Sequence, residues 1–198
     1  MNSFSEWPAI YPITPAAITP DQRDLLTSHI ESLFGNGIRI VQLRLPLWTV
    51  DETRSLAAAL LPGARHNDAV IMLNSDIPGA AELGDNVGTH LRASQLGVAA
   101  LQHRIPARPI GASCHSAREL AVAAHIDADF VTLSPVAETA SHPGATPLGW
   151  KTFQHLAETS AIPIYALGGL TPDDLPHARR YGAHGVAGIR SFWPDAQE

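Results

Sequence analysis

The sequence of 198 residues has a single cysteine and no long apolar run, and both absences limit what the chain can be. Cys114 has no second cysteine to pair with, so an internal disulfide is excluded, as is typical of a reducing compartment. Without a stretch of about 18 apolar residues, no membrane span is expected. The first residues also lack the basic and apolar segments of a secretory signal. These features predict a cytoplasmic protein.

Positive charge is scarce as well. Lysine and arginine number 13 against 19 acidic residues, which gives a formal net charge of −6. No basic run is present to bind a phosphate backbone or anionic lipid, so neither nucleic acid nor a membrane is expected as a partner. The histidines show no ligand spacing, and no His/Cys cluster suggests zinc. What remains, 45% hydrophobic and 16% charged, is an ordinary globular composition.

Short apolar runs alternate with longer amphipathic segments along the whole chain. Most of the runs are continuously apolar, which is typical of parallel strands that are buried on both faces. Eight such strands in strict alternation with crossovers predict an α/β fold, the (β/α)8 TIM barrel, as a single domain over residues 1–198 with its core from about 9 to 193. The predicted strands are Ala9–Thr14, Ile38–Arg44, Val70–Asn74, Val87–Leu91, Pro109–Ser113, Asp129–Ser134, Pro163–Gly168 and Ala183–Ile189.

Helical patterns lie between these strands. The fourth crossover, Arg92–Leu101, is the weakest unit, and the chain ends nine residues after Ile189, which predicts a short final helix. Thr49 or Asp51 and Thr171 are expected as N-terminal caps, with Pro172 at the first helical position. The clearest predicted helices are Asp21–Phe34, Asp51–Leu61, Ala117–His125, Trp150–Thr159 and Pro172–Arg180.

Glycines at the ends of the last two strands predict a phosphate site. Gly168 and Gly169 follow the seventh strand, and Gly188, Ile189 and Arg190 close the eighth. Glycines free backbone N–H groups and allow close approach, and a helix after strand eight would add a partial positive charge. Loops after strands seven and eight are the recurrent phosphate site of such barrels. The alternative is tight turn geometry alone.

Several blocks in order resemble the thiamine phosphate synthase/TenI family, over about Tyr11 to Phe192. The resemblance implies a barrel that handles a thiazole phosphate. The synthase branch joins that thiazole to an aminopyrimidine pyrophosphate with magnesium, whereas the TenI branch includes a metal-independent thiazole tautomerase that uses a histidine. The blocks are Tyr11–Pro15, Val41–Arg44, Ile71–Asn74, Gly88–Leu91, Ile110–His115, Asp129–Val131, Ser134–Ser141 and the two glycine loops.

Departures from the synthase pattern predict that no metal is held. The lysine expected after Arg44 is absent, since Leu45–Pro46 follow. Ser75 and Gln95 stand where the synthase branch has metal-binding aspartates, and Asp76 lies one residue on. Magnesium needs hard oxygen ligands, usually carboxylates, so it is expected only if the chain is a synthase after all. In such a barrel the site lies at the carboxyl ends of the strands, which predicts Arg44, Asn74, His90, Ser113 and Ser134 as further pocket residues. The blocks of the resemblance add Gln42, Thr139, Ser141 and His142.

His115 matches the tautomerase histidine and is the predicted catalytic residue. An imidazole near its own pKa can remove and return a proton without a metal. The alternative is a structural role, capping the helix that starts at Ser116. His90, the other histidine at the mouth, is interpreted more readily as a packed residue at the end of the barrel.

Three functions stay open at this point. The first is a TenI-like protein that binds a thiazole phosphate, with proton transfer by His115. The second is a magnesium-dependent synthase with an altered metal site. The third is a non-catalytic binding module, because Ser141–Trp150 and Gly188–Trp193 are similar to the barrel fused to some bacterial Nudix hydrolases. A small phosphorylated ligand, a Nudix hydrolase partner and a homodimer are the expected partners.

Overall fold

Eight parallel strands form the centre of the molecule, and they surround a packed interior. The computed structural model describes residues 7–102, 107–139, 144 and 146–193. The strands pair in the order β1-β8-β7-β6-β5-β4-β3-β2, which is a (β/α)8 barrel, as predicted. They are β1 Ile10–Pro12, β2 Ile40–Leu43, β3 Val70–Asn74, β4 Val87–Leu91, β5 Ile110–Cys114, β6 Phe130–Leu133, β7 Ile164–Ala166 and β8 Gly185–Gly188.

Helices cover most of the outside of the barrel, but not after β3. The described residues contain α1 Arg23–Gly35, α2 Val50–His66, α3 Ala93–Gln102, α4 Ala117–His125, α5 Gly149–Glu158 and α6 Leu175–Arg180. The fourth crossover, expected over Arg92–Leu101, contains α3, which is ten residues long and shifted by one residue from those bounds. The crossover after β3 is the one without an α-helix and contains only a 3-10 turn, Ala80–Leu83. After β8 the chain forms a 3-10 turn, Arg190–Phe192.

The predicted caps of the second and sixth helical segments lie where the chain enters them. Thr49 accepts a hydrogen bond from the Glu52 amide at 3.2 Å, and Glu52 accepts from the Thr49 amide at 2.8 Å. This reciprocal pair satisfies amides that have no partner inside the helix, and it lowers the pKa of Glu52 through those hydrogen bonds. Thr171 makes the equivalent pair with Asp174 before α6.

The barrel closes between β1 and β2 by a narrow seam. A single bridge joins Ile13 to Gln42, and the Thr14 amide donates to the Gln42 carbonyl at 3.0 Å. The buried Thr14 hydroxyl donates to the Arg44 carbonyl at 3.0 Å and accepts from the Arg44 amide at 2.7 Å. One side chain therefore completes the hydrogen bonding of the seam just below the mouth.

Inward side chains fill the barrel at its amino-terminal end. Their packing separates this interior from the apolar layers under the helices. Trp7 packs on Phe130 with ring centroids 4.8 Å apart, the Tyr165 hydroxyl donates to the Pro8 carbonyl, and His184 Nε2 binds the Trp7 carbonyl at 2.6 Å. The inner layer consists of Tyr11, Ile13, Ile40, Val70, Met72, Phe130, Tyr165 and Ala187. Within the described residues, packed side chains thus fill the interior of the barrel at its amino-terminal end.

Within the described residues, no helix has both the length and the apolar character to cross a bilayer.

Candidate functional site

A cavity of about 680 Å³ opens at the carboxyl ends of β5 to β8. Loops after neighbouring parallel strands meet at this edge, so residues far apart in sequence share one wall. All five residues of the predicted phosphate site line it, together with His115. The complete lining is His115, Ser134, Pro135, Thr139, Thr146, Leu148, Leu167, Gly168, Gly169, Leu170, Thr171, Ala187, Gly188, Ile189, Arg190 and Ser191.

The turn after β7 requires its two glycines. Gly168 has φ +110° and Gly169 has φ +67°, in the left-handed region that side chains disfavour. A Cβ on Gly169 would lie 2.5 Å from the Glu138 carbonyl oxygen, which no ordinary contact allows. Among the described residues, no backbone carbonyl accepts from the Gly169 and Leu170 amides. The turn therefore presents free N–H donors on the cavity wall.

The turn after β8 supplies the opposite wall. Arg190 and Ser191 open the 3-10 turn, and no described carbonyl accepts from their amides. A single 3-10 turn has a far smaller dipole than a helix, so the helix N-terminus expected here is reduced to these free N–H groups. Arg190 is exposed at the edge of the cavity. Free amides from two turns and one guanidinium make this cavity suited to a phosphate.

His115 is held by its side chain, not by a capping role. Its Nδ1 lies 2.8 Å from the Ser134 carbonyl oxygen. A carbonyl can only accept, so Nδ1 carries the proton and Nε2 keeps a free lone pair. The cap of α4 is Ser116, whose side chain accepts from the Glu119 amide at 3.3 Å. The capping role considered for His115 therefore belongs to Ser116.

A second cavity of about 300 Å³ lies beside the first, over β2 to β6. The two cavities adjoin at four residues that line both, His115, Ser134, Leu167 and Ile189. The second cavity is the more polar one by residue type. Its lining is Ile13, Gln42, Arg44, Asn74, His90, Arg92, Ala93, Ser94, Ser113, His115, Thr132, Ser134, Leu167 and Ile189.

A chain of hydrogen bonds leads from the packed interior to this second cavity. Gln42 Nε2 donates to the Tyr11 hydroxyl at 2.9 Å, and that hydroxyl lies 3.1 Å from His90 Nδ1. His90 Nε2 lies 3.0 Å from the Ser113 hydroxyl. With Tyr11 accepting from Gln42, its own proton goes to Nδ1, so Nε2–H donates to Ser113. The Ser113 proton is then free to point at a ligand.

Burial keeps the centre of this chain uncharged. Desolvation lowers the pKa of His90 to about 3 and raises the pKa of Tyr11 well above its ordinary value. His90 is therefore a neutral bridge near neutral pH and does not exchange protons with a substrate. Of the two histidines at the mouth, His115 is the exposed one, and its Nε2 is left without a partner among the described residues.

The residues at the expected metal position do not fit magnesium. Ser75 Oγ donates to Gln95 Oε1 at 3.2 Å, so the two side chains that stand where carboxylates were expected bind each other. Gln95 Oε1 also accepts from Arg92, from its amide at 3.0 Å and from its Nε at 3.4 Å. No group of three His, Cys, Asp or Glu side chains suited to a metal occurs within the described ranges. A neutral pair beside a guanidinium offers no anionic ligand to a divalent cation.

The structure brings the predicted site residues together at one end of the barrel. Gln42, Arg44, Asn74, His90 and Ser113 line the second cavity, Thr139 lines the first, and Ser134 lines both. Ser141 and His142 fall outside the described residues. Sequence reasoning missed Arg92, Ser94, Thr132, Thr146 and Ser191, which line the cavities, and Tyr11 as a partner of His90. Arg92 could have been predicted, because it follows β4 directly and so lies at the carboxyl end of a strand.

Comparisons with known proteins agree on one family. A family model described as thiamine monophosphate synthase matches residues 10–192. A putative thiamine-phosphate synthase 2 of Aquifex aeolicus is 34% identical over 165 residues, 82% of this chain and 87% of the relative. A thiamine-phosphate synthase of Laribacter hongkongensis is 32% identical over 164 residues, 82% of this chain and 77% of its own. A thiamine phosphate pyrophosphorylase structure from Pyrococcus furiosus matches with a TM-score of 0.74 at 24% identity, covering 91% of this chain and 85% of that one.

Proposed function

Because the chain belongs to the thiamine monophosphate synthase family, we propose that it binds a thiazole phosphate at the barrel mouth and moves a proton on it through His115. The ligand places this activity in thiamine metabolism, which is also the field named by the relatives. The reaction is an isomerisation: one bond to hydrogen breaks, another forms, and no group leaves. Such a step needs an acid–base group and an anion-binding cradle, but no metal.

The observation that carries the proposal is the fixed tautomer of His115 between the two cavities. The Ser134 carbonyl holds the proton on Nδ1, so Nε2 is the base. Nε2 takes a proton from one atom of the ring system and becomes an imidazolium, which then returns a proton to another atom. The carbonyl on Nδ1 stabilises that cation because it accepts a charge-assisted hydrogen bond.

The phosphate is proposed to sit on the free amides of the two glycine-bearing turns. Gly169 and Leu170 stand on one wall, Arg190 and Ser191 on the other, and His115 lines the same cavity. Holding the phosphate fixes the ring relative to Nε2, which is the entropic part of catalysis. The volume of about 680 Å³ accommodates a ring and a phosphate with room for the chain that joins them.

A synthase is the second candidate, and the names of the curated relatives favour it. Its leaving pyrophosphate carries several negative charges, which magnesium and cationic side chains normally stabilise. The Ser75–Gln95 pair supplies no such ligand, and Pro46 replaces a lysine. The non-catalytic binding module is the third candidate; the Nudix hydrolase partner and the homodimer stay predictions from the sequence.

The deciding experiment follows isomerisation of a carboxylated thiazole phosphate by NMR or absorbance, with a chelator present. We expect turnover by the natural chain and a fall in kcat of about 10²- to 10⁴-fold in His115→Asn, with KM changed little. The matched control is His125→Asn, at the exposed end of α4. If the wild-type chain shows no isomerisation, the catalytic proposal fails and the non-catalytic binding module remains as the candidate. Magnesium-dependent release of pyrophosphate from two substrates would instead establish the synthase.

A further inference from the structure

We propose that His29 of α1 is a positioning residue for the turn after β8, Arg190–Phe192, and acts together with Trp193. The inference rests on the proposed function, since that turn is one of the two walls proposed to hold the phosphate. His29 Nε2 lies 2.7 Å from the Phe192 carbonyl oxygen, although 163 residues separate the two in sequence. Because a carbonyl can only accept, Nε2 carries the proton and donates it.

The turn after β8 has little of its own to hold it in place. The Phe192 amide donates to the Ile189 carbonyl at 3.1 Å, and the next amide, that of Trp193, donates at 3.2 Å to the carbonyl of Arg190. A single 3-10 turn is short and has poorer hydrogen-bond geometry than an α-helix, so its conformation depends on tertiary contacts. Arg190 and Ser191 are exposed, and no α-helix follows β8 in the described part of the chain. Contacts of the two residues after them therefore determine where this wall stands.

Trp193 fixes the end of the turn on two sides. Its indole Nε1–H donates to the Ile13 carbonyl at 2.8 Å, and its ring centroid lies 4.5 Å from that of His29 with 35° between the ring planes. The Ile13 amide donates in turn to the Gly188 carbonyl at 2.8 Å, at the end of β8 just before the turn. Ile13 thus ties down the chain on both sides of the exposed stretch, and His29 adds a tie from α1.

The anchoring continues into the apolar layer beneath α1. Phe192 and Trp193 are 9% and 5% exposed, and they belong to the same buried cluster as Leu26 and Ile30 of α1. His29 follows Leu26 by three residues, so the helix presents the two side chains on neighbouring parts of one face. His29 lines neither of the two cavities. Its effect on a ligand must therefore pass through the turn, which distinguishes a positioning residue from a catalytic one.

The test removes the hydrogen-bond donor and keeps the ring. His29→Phe preserves an aromatic side chain beside Trp193 but loses the bond to the Phe192 carbonyl, whereas His29→Gln keeps an amide N–H for that carbonyl. Calorimetry measures binding of thiazole phosphate and of the corresponding thiazole alcohol, which lacks the phosphate. We expect His29→Phe to weaken thiazole phosphate binding about three- to tenfold and alcohol binding by less than about twofold. His29→Gln should restore the affinity to within about twofold of the wild type.

Kinetics and hydrogen exchange distinguish positioning from a general loss of structure. In the isomerisation assay, His29→Phe should raise KM by the factor seen in binding and leave kcat within about twofold, since the phosphate anchors the ligand and does not react. Amide exchange should accelerate at Phe192 and Trp193 but not at Val186 in β8. Trp193→Phe, which loses the bond to the Ile13 carbonyl, should show the same pattern. The matched control, expected to change none of these values, is His66→Phe at an exposed position in the last turn of α2.

The outcomes separate this inference from the proposed function. In His29→Phe, equal losses for the two probes, no loss for either, or a fall in kcat in place of a rise in KM would overturn the positioning role and leave isomerisation by His115 intact. Failure of His29→Gln to restore affinity would do the same. Phosphate-dependent loss in a chain that shows no isomerisation would support the positioning role and remove the catalytic proposal. A wild type that binds the two probes equally would reject the phosphate walls and this inference with them.

Discussion

His90 is a histidine whose surroundings have removed its usual chemistry. Tyr11 and Ser113 occupy its two ring nitrogens, and burial lowers its pKa to about 3. Its role is to align hydroxyl groups between the interior and the second cavity. His115, a few residues along the neighbouring strand end, is exposed and keeps one nitrogen free. The two histidines at the same mouth thus differ in burial and in hydrogen-bond partners.

The buried His90 predicts a pH dependence of stability. Its pKa is about 3 when folded against 6.5 as the ordinary value, so between these pH values the unfolded chain binds a proton that the folded chain refuses. The free energy of unfolding therefore falls as pH drops below about 6.5, by up to about 1.4 kcal/mol per pH unit. In His90→Gln, urea denaturation should show a shallower acid slope between pH 6.5 and 5. Parallel slopes for the two proteins over that range would contradict this assignment, and above about pH 7.5 they are expected to coincide.

At the scale of the element, the sequence predicted those strands, helices and turns whose bounds depend on residues close together in the chain. β3, β4 and α4 have the predicted bounds because their apolar or amphipathic patterns end at clear breaks. The glycine turns were readable since glycine has a specific conformational use. The sequence did not predict that the crossover after β3 lacks an α-helix, although Pro78, Gly79 and Gly84 interrupt that segment. The Ser75–Gln95 contact spans 20 residues, and no local pattern reports it.

The turn after β7 can be tested by adding one methyl group. In Gly169→Ala we expect a loss of unfolding free energy of about 1–3 kcal/mol, since φ is +67° and the Cβ would meet the Glu138 carbonyl. Thiazole phosphate affinity should fall at least about tenfold because the amides of the turn would move. Denaturation and calorimetry measure the two effects.

Gly37→Ala is the matched control for the turn. Gly37 also has a positive φ, +92°, but open space surrounds the site of its Cβ. We expect a stability loss of about 1 kcal/mol from backbone conformation alone and unchanged affinity. If Gly169→Ala and Gly37→Ala bind thiazole phosphate with the same affinity, the turn after β7 is not part of the phosphate site.

The whole barrel depends on the seam between β1 and β2. Thr14→Val preserves the shape of the side chain but leaves the Arg44 amide and carbonyl without their partner. We expect the free energy of unfolding to fall by about 1–3 kcal/mol, together with weaker binding of the carboxylated thiazole phosphate, because Arg44 follows the seam and lines the second cavity. Urea denaturation and calorimetry provide both values.

Thr53→Val is the control for the seam. Thr53 is also buried, but its hydroxyl only adds to a helix carbonyl, that of Thr49, which the Thr53 amide already binds. Its loss should cost less than about 1 kcal/mol and leave binding unchanged. If the two variants lose the same stability, the seam is not a special point in the barrel.

In the described part of the chain, Trp7, Phe130 and Tyr165 form a packed floor at the end of the barrel opposite the two cavities. On the proposed function, the substrate therefore enters and its product leaves at the carboxyl ends of the strands. Accumulating product is then expected to compete with substrate for the same site.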